Sequence, residues 1–316
     1  MKRYTIRDFN SDFPDDDACL LAVFGMVYPS YLEDGTVPCR SEKCGGEFTK
    51  HARLTKRPKA LTCSKCGTHA YPLAGTIFEK SSTPMKSWFY AMYLMSTTRS
   101  GISAKQLERE LGVTYKTAWR MFKQIRSLLA EDGGPLTGTV EVDETWHGGK
   151  LYFPGRPGHT GQKPGYNSLS NKTPIVGAVE RGGRVTARVA QNVRKSTLMP
   201  LVAEHVMPEA TVFTDEHTAY NDLSKSGYQH KRVNHSAKVW VEGTVHTNTI
   251  EGFWSLLKNG IRGVYHAVGS DYLQTYVNEY TFRYNHRKDE TPMFVTITNR
   301  VREVRAGKHG DYSPIG

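Results

Sequence analysis

The sequence has little of what would carry it into a membrane or a disulfide framework. Its longest apolar run, Cys19 to Val27, falls far short of the roughly 20 residues that a bilayer span needs. The first residues, MKRYTIRDFNSDFPDDD, are polar and acidic and include no signal-type apolar segment. Neither an internal repeat nor a low-complexity tract occurs, which excludes a solenoid. Cysteine is sparse and odd in number: of five, four form two close pairs, Cys39 with Cys44 and Cys63 with Cys66. That arrangement argues for metal binding in a reducing compartment over disulfides. Cys19, the fifth, is expected to pack as a small apolar residue. The chain is therefore expected to be soluble and cytoplasmic, with no membrane partner.

Acidic residues are also scarce in one place. Residues 39 to 130 hold 17 Lys and Arg against 5 Asp and Glu, a balance of +12 out of the whole chain's +11. Residues 1 to 38 stand at −4 and residues 131 to 316 at only +3. An excess this concentrated points to a polyanion footprint, where an even spread would only signal a solvated surface. A length of 316 residues is too great for one minimal domain, so two or three units are expected.

The basic segment contains two motifs. CSKCG follows a basic stretch, GEFTKHARLTKRPKALT, and with Cys39 and Cys44 makes a zinc-ribbon spacing. Four thiolates can hold Zn2+ tetrahedrally and supply on the order of 10 kcal/mol to a unit without a large core. His51 and His69 could substitute, but the four cysteines already complete the set. After Pro84 the pattern turns helical, and GISAKQLERELGVTYKTAWRMFKQIRSLL reads as helix, a turn at Gly112 and Val113, then helix. Leu107, Leu111, Ala118, Phe122, Ile125 and Leu129 would face inward. Tyr115, Lys116, Thr117, Arg120 and Lys123 would face outward, and within so basic a segment Lys116, Arg120 and Lys123 are candidate DNA contacts.

EDGGPLTG breaks the helical pattern and marks a linker. TVEVDETW then alternates as a strand, with Glu141 and Asp143 on one face and Glu144 on the other. Residues 147 to 172 hold 9 Gly or Pro, 4 Lys or Arg and no acid, a basic loop. A hairpin turning at Gly182 and Gly183, a helix in STLMPLVAEHV and a strand ending at Asp215 follow. In HTNTIEGFWSLLKNGIRG, Ile250, Phe253, Trp254, Leu257 and Ile261 recur at helical spacing, opposite a polar row of Asn248, Glu251, Ser255 and Lys258. Asn248 either caps the helix, the ordinary reading, or belongs with His246 around the acid site in a supporting part. A last helix, SDYLQTYVNEYTFRYNHR, is apolar at Leu273, Tyr276, Val277 and Tyr280.

Asp143, Asp215 and Glu251 are thus offered by two strands and a helix. Gathered in one cleft, carboxylates about 4 Å apart would repel by roughly 4 kcal/mol per pair at an effective dielectric near 20. A divalent cation resolves that conflict, and an oxygen-only donor set suits Mg2+ or Mn2+ and in-line phosphodiester displacement.

Through CSKCG, VDETW, FTDE, the HTNTIEGFWSLLK block and FRYNHR, nearly the whole chain resembles a family of bacterial insertion-sequence transposases: the fifteen-ninety-five group, with a zinc ribbon ahead of a DDE domain. The resemblance implies an α/β, RNase H-like catalytic fold with Asp143, Asp215 and Glu251 as metal ligands. It also implies that Lys258, seven residues after the glutamate, contacts transposon-end DNA. The expected division is a helical segment at 1–38, a zinc ribbon at 39–75, a helix-turn-helix region at 83–130, a catalytic domain at 138–300 and a tail at 301–316. The expected cofactors are Mg2+ or Mn2+ and Zn2+. The expected partners are the terminal inverted repeats, target DNA and further copies of the chain in a synaptic complex, with the protein nucleoid-associated when on DNA. Two other classes share parts of the pattern, a transposase-derived regulator that has lost catalysis and an RNase H-like nuclease without strand transfer. The intact triad and Lys258 count against the regulator.

Overall fold

The computed structural model describes residues 4–28, 36–39, 44–49, 60–148, 172–233 and 246–301. All but the ends of the basic loop at 147–172, and His51, lie outside them. The chain divides into two compact units, residues 1–130 with 288–316, and residues 131–287. Among the described residues no helix is long and apolar enough to cross a membrane.

In the first unit, α1 (Ile6–Asp12) opens on a capping box in which Thr5 Oγ1 accepts from the Asp8 N–H and the Asp8 carboxylate accepts from the Thr5 N–H. Asp15 caps α2 (Asp16–Val27), accepting the Ala18 N–H at 2.8 Å, and Cys19 is buried in that helix. Two small antiparallel pairs follow, β1 (Thr36–Pro38) with β2 (Glu47–Thr49) and β3 (Leu61–Thr62) with β4 (His69–Ala70). Then come α3 (Met85–Thr97), α4 (Ala104–Leu111) and α5 (Tyr115–Ser127). The turn between the last two passes through Gly112 at φ 65°, a left-handed conformation that favours glycine. Leu107, Ala118, Phe122, Ile125 and Leu129 are buried, and Leu111 is half-buried. Residues 288–301 group with this unit, whereas the sequence put residues up to 300 with the catalytic domain. The reason is Phe294, in the helix Met293–Asn299, whose ring lies 5.9 Å from Phe9 and 5.7 Å from Phe13.

The second unit is a five-stranded sheet with helices on both faces. Its strands are β5 (Thr139–His147), β6 (Thr173–Glu180), β7 (Val185–Val189), β8 (Thr211–Thr214) and β9 (Gln229–Arg232), in the order β7-β6-β5-β8-β9. The first three pair antiparallel, and β8 and β9 continue in parallel with β5. That order, with a mixed sheet between helical layers, is the RNase H-like fold. The edge strand β9 lies in GYQHKRVNHS, which carries no apolar alternation to reveal it. Period two on β5 and β6 sends Val140, Val142, Val176 and Ala178 to one face, where they pack with Leu198 and Val202 of α6 (Lys195–His205). Ile175 and Val179 go to the other, against α7 (Asn248–Gly260) and α8 (Ser270–Asn285). All five stripe residues, Ile250, Phe253, Trp254 and Leu257 of α7 and Ile261 directly after it, are buried.

Gly260 closes α7 where the buried Tyr280 crosses it, and a Cβ there would stand 1.7 Å from the Tyr280 hydroxyl. Gly260→Ala is expected to destabilise the protein by about 1–3 kcal/mol through overpacking. Gly252→Ala, on the same helix with open space around it, should be neutral or stabilise by up to about 1 kcal/mol. Urea unfolding of both variants checks the contrast.

Candidate active site

The site forms where β5 and β8 end side by side. Thr139 lies opposite Thr211 and Glu141 opposite Phe213, so Asp143 comes level with Asp215, which directly follows the last residue of β8, Thr214. Asp215 Oδ1 accepts the His217 N–H at 2.9 Å. Burial first, then the charge of Glu144, push the Asp143 carboxyl up from its ordinary 3.8 to about 7, with Asp215 adding to the effect. The indole N–H of Trp254 opposes that rise, donating to Asp143 Oδ2 at 2.9 Å. Trp254 reaches the carboxylate over Gly177, the residue paired with Asp143 on β6. Any Cβ at Gly177 would meet the indole at 2.6 Å, so the bare backbone is what admits the ring.

Glu144 lies on the opposite face of β5, as period two requires. It accepts a hydrogen bond from the Tyr220 hydroxyl at 2.7 Å, and His217 Nε2 lies 3.8 Å from it. Burial and the nearby Asp215 charge raise its pKa, while Tyr220 and His217 pull it down.

Glu251 is exposed on the first turn of α7, and its Oε1 accepts from the Thr247 hydroxyl at 3.1 Å. The helix that carries it is tied to β5 on either side of it, by the Ile250 N–H to Glu141 Oε2 at 3.0 Å and by Trp254 to Asp143. Lys258, two turns further on, is half-buried. Burial first and then Arg262 lower its pKa, while the Asp143 charge acts to raise it. Asn248 is not the cap expected from the sequence: Thr247 holds the N-cap position without a side-chain cap bond, and Asn248 is the exposed first residue of the helix. The first-turn N–H groups are served by Glu141, and His246 Nδ1 lies 3.3 Å from the same carboxylate.

Among the described residues, one group of three or more metal-type side chains has its ligand atoms all within 4.8 Å, and it is Cys39, Cys44, Cys63 and Cys66. Asp143, Asp215 and Glu251 are therefore not drawn together that closely. Their donor set still fits a hard divalent cation, since it is oxygen-only and the two level aspartates repel in a way that such a cation would cancel. For the thiols, Cys39 to Cys66 is 3.6 Å and Cys44 to Cys63 is 3.7 Å. Zinc at about 2.3 Å from each sulfur of a tetrahedron sets them roughly 3.8 Å apart, so the cluster fits Zn2+. His69 is engaged elsewhere, its Nδ1 lying 2.8 Å from the Thr62 hydroxyl.

On α5, Lys116 and Lys123 are exposed, and Lys123 Nζ lies 5.9 Å from the Trp119 ring. Arg120 is half-buried, with Nη2 donating to Ser81 Oγ at 3.4 Å, so it is less outward than its helical position suggests. Ser81 is buried and also accepts from Trp88 Nε1, which keeps its hydroxyl in place.

With this geometry established, the chain can be set beside known proteins. Residues 135–285 match the ISXO2-like transposase domain. A transposase-like protein of Haemophilus influenzae is 30% identical over 102 residues, covering 32% of this chain and 81% of the relative. The chain belongs to the ISXO2-like transposase family. A protein of the transposable element ISH50 from Halobacterium salinarum is 28% identical over 228 residues, 70% of this chain and 76% of that protein. As a transposase domain, the second unit is of the polynucleotidyl-transferase type. Among solved structures, a pre-cleavage Mos1 transpososome overlaps 74% of this chain and 83% of its own, with a TM-score of 0.26 and 12% identity. A simian T-cell lymphotropic virus intasome overlaps 72% and 75%, with a TM-score of 0.30 and 12% identity. The strand order, not these loose overlaps, defines the fold of this family member.

Sequence reasoning left Trp254 with the core aromatics and missed its hydrogen bond to Asp143. The available signal was Gly177, a gap in an otherwise apolar strand. The alternation of β5 puts Glu141 on the Asp143 face, but its capping of α7 depends on contacts 108 and 109 residues apart in the chain.

Asp143 is ionised at a cost that grows as pH rises from about 4 through about 7. Its raised pKa thus favours the folded state of the protonated form and penalises folding above neutrality. Asp143→Asn is expected to raise the melting temperature of metal-free protein at pH 8 by roughly 2–8 °C, on the order of 1–2 kcal/mol. The gain should shrink toward zero near pH 4, which thermal unfolding at the two pH values tests. For the thiols, Cys63→Ser should reduce bound zinc from about one per chain to near zero, measured by elemental analysis of purified protein.

Proposed function

We propose that this family member is a DDE transposase that binds the terminal inverted repeats of its element, cleaves their 3′ ends and joins them to target DNA. The observation that carries this reading is the pair of level aspartates, Asp143 and Asp215, beside a helix that presents Glu251 and Lys258. The ribbon at 39–75 and the helix-turn-helix region at 83–130 supply the basic surface for end binding, with the exposed Lys116 and Lys123 facing phosphates and the half-buried Arg120 as a further cation on the same helix. Several copies assemble on paired ends.

Asp143, Asp215 and Glu251 would hold Mg2+ or Mn2+, and Lys258 would pair with a phosphate of the transposon end. When bound, two such cations would supply Lewis-acid activation of the attacking oxygen and charge neutralisation at the leaving oxygen. Water first displaces the 3′ oxygen of the end from its phosphodiester, freeing a 3′-hydroxyl. That hydroxyl then displaces a target-strand 3′ oxygen, so that one phosphodiester forms as one breaks and no protein–DNA bond arises. Trp254, donating to Asp143, keeps the carboxylate aimed while the proton and charge rearrange.

Asp143→Asn and Glu251→Gln proteins are expected to bind end DNA with affinity within about twofold of wild type, yet to form no joined product with Mg2+ or Mn2+. Normal joining by either variant overturns the assignment. Wild-type protein that binds ends without cutting them would be a regulator, and one that cuts without joining would be a nuclease.

A further inference from the structure

We infer that Glu141 is a positioning residue for the acid site: its buried carboxylate sets where the first turn of α7 docks on β5, and so where Glu251 stands relative to Asp143. This rests on the acid site proposed above and adds the part that holds it in register.

Glu141 is fully buried on the central strand, where a carboxylate costs several kcal/mol unless every lone pair is used. Here they are used. Oε1 accepts from Arg181 Nε at 2.6 Å and from the Thr249 hydroxyl at 2.9 Å. Oε2 accepts from the Thr249 N–H at 2.8 Å and the Ile250 N–H at 3.0 Å. Four donors match the roughly four acceptor positions that a carboxylate offers. Arg181 is itself fixed, with its second nitrogen donating to the His246 carbonyl at 2.8 Å, just ahead of the helix, and its guanidinium 4.5 Å from the Phe213 ring of β8.

The helix end has no cap from its own sequence, because the Thr247 hydroxyl turns to Glu251. Two of its orphan N–H groups depend on the strand carboxylate instead. Glu141 stands two residues before Asp143 on a strand, about 7 Å away. Its acceptor contact to Ile250 is one residue before Glu251. The path from one proposed ligand to the other is therefore short and consists of strand, carboxylate and helix start, with no loop in it. Phosphoryl transfer needs ligands held to within about 0.5 Å, so a helix start that slips should cost metal affinity before it costs the fold.

The test uses the full chain and Mn2+ as probe, with three readouts: Mn2+ binding by isothermal titration without DNA, melting temperature, and strand joining as a function of Mn2+. Asp143→Asn establishes which Mn2+ binding belongs to the acid site. Glu141→Gln keeps the shape but replaces acceptor by donor toward Arg181 or toward the helix. It is expected to weaken Asp143-dependent Mn2+ binding at least tenfold and to shift the Mn2+ needed for half-maximal joining in parallel. Arg181→Lys, a gentler change that cannot bond both Glu141 and the His246 carbonyl in the same way, should shift both about threefold, and it carries the test if Glu141→Gln does not fold. Leu198→Ala, a cavity on the far face of the sheet, should lower the melting temperature without moving Mn2+ affinity.

Mn2+ affinity unchanged in both Glu141→Gln and Arg181→Lys, or shifted no more than in Leu198→Ala, overturns the positioning role and leaves the transposase reading standing. Weakened Mn2+ binding in a protein whose wild type never joins DNA supports the positioning role and overturns the proposed reaction. Mn2+ binding indifferent to Asp143→Asn overturns both.

Discussion

The second unit depends on a helix start that cannot satisfy itself. α7 begins with N–H groups that no residue of its own segment caps, and the acceptor comes from Glu141 on the middle strand of the sheet. One carboxylate thereby solves two problems, since a buried acid needs donors and a helix N-terminus needs an acceptor. Arg181 completes the balance of charge from the end of β6. The apolar stripe of α7 presses the helix onto the sheet, but an apolar contact is non-directional and tolerates sliding. The hydrogen bonds to Glu141, and from Trp254 to Asp143, remove that freedom.

The same strand carries the opposite kind of acid. Glu141 is saturated with donors, whereas Asp143 has the Trp254 indole on one oxygen and the like charges of Glu144 and Asp215 nearby. Burial and repulsion together push it to about 7. Two acids two residues apart on one face thus have separate roles, one structural and one held in tension, because the number of donors around each differs. Glu144, on the other face, adds to that tension while its own carboxylate is steadied by Tyr220. A site that concentrates negative charge in this way gives up folding free energy that a bound cation would return.

In the first unit the physical logic is different. Its helices share an aromatic core that includes Phe9, Phe89 and Phe294, while the four thiols converge, with Cys39 to Cys66 at 3.6 Å and Cys44 to Cys63 at 3.7 Å joining one close pair to the other. The two short strand pairs around the cysteines could not support a core of their own, and a Zn2+ in the four-thiol cluster would supply the cross-link that so small a piece needs.

Much of this was legible from residue spacing. The buried stripe of α7, the two faces of β5 and the turn at Gly112 all follow from period and local chemistry, because each is decided by neighbours within a few residues. The sequence by itself therefore determined most of the helices and strands, though not β9, together with which faces are apolar and which acids, lysines and thiols are on offer. Only the tertiary structure decided their partners. That β5 and β8 are adjacent and parallel, bringing Asp143 level with Asp215, is a matter of strand order, which period cannot encode. That Glu141 caps α7, that Gly177 makes room for Trp254, and that Phe294 returns to the first unit are all contacts between distant segments. Hydrogen bonds and close packing are short-ranged in space but indifferent to separation along the chain, and it is folding that turns one kind of distance into the other.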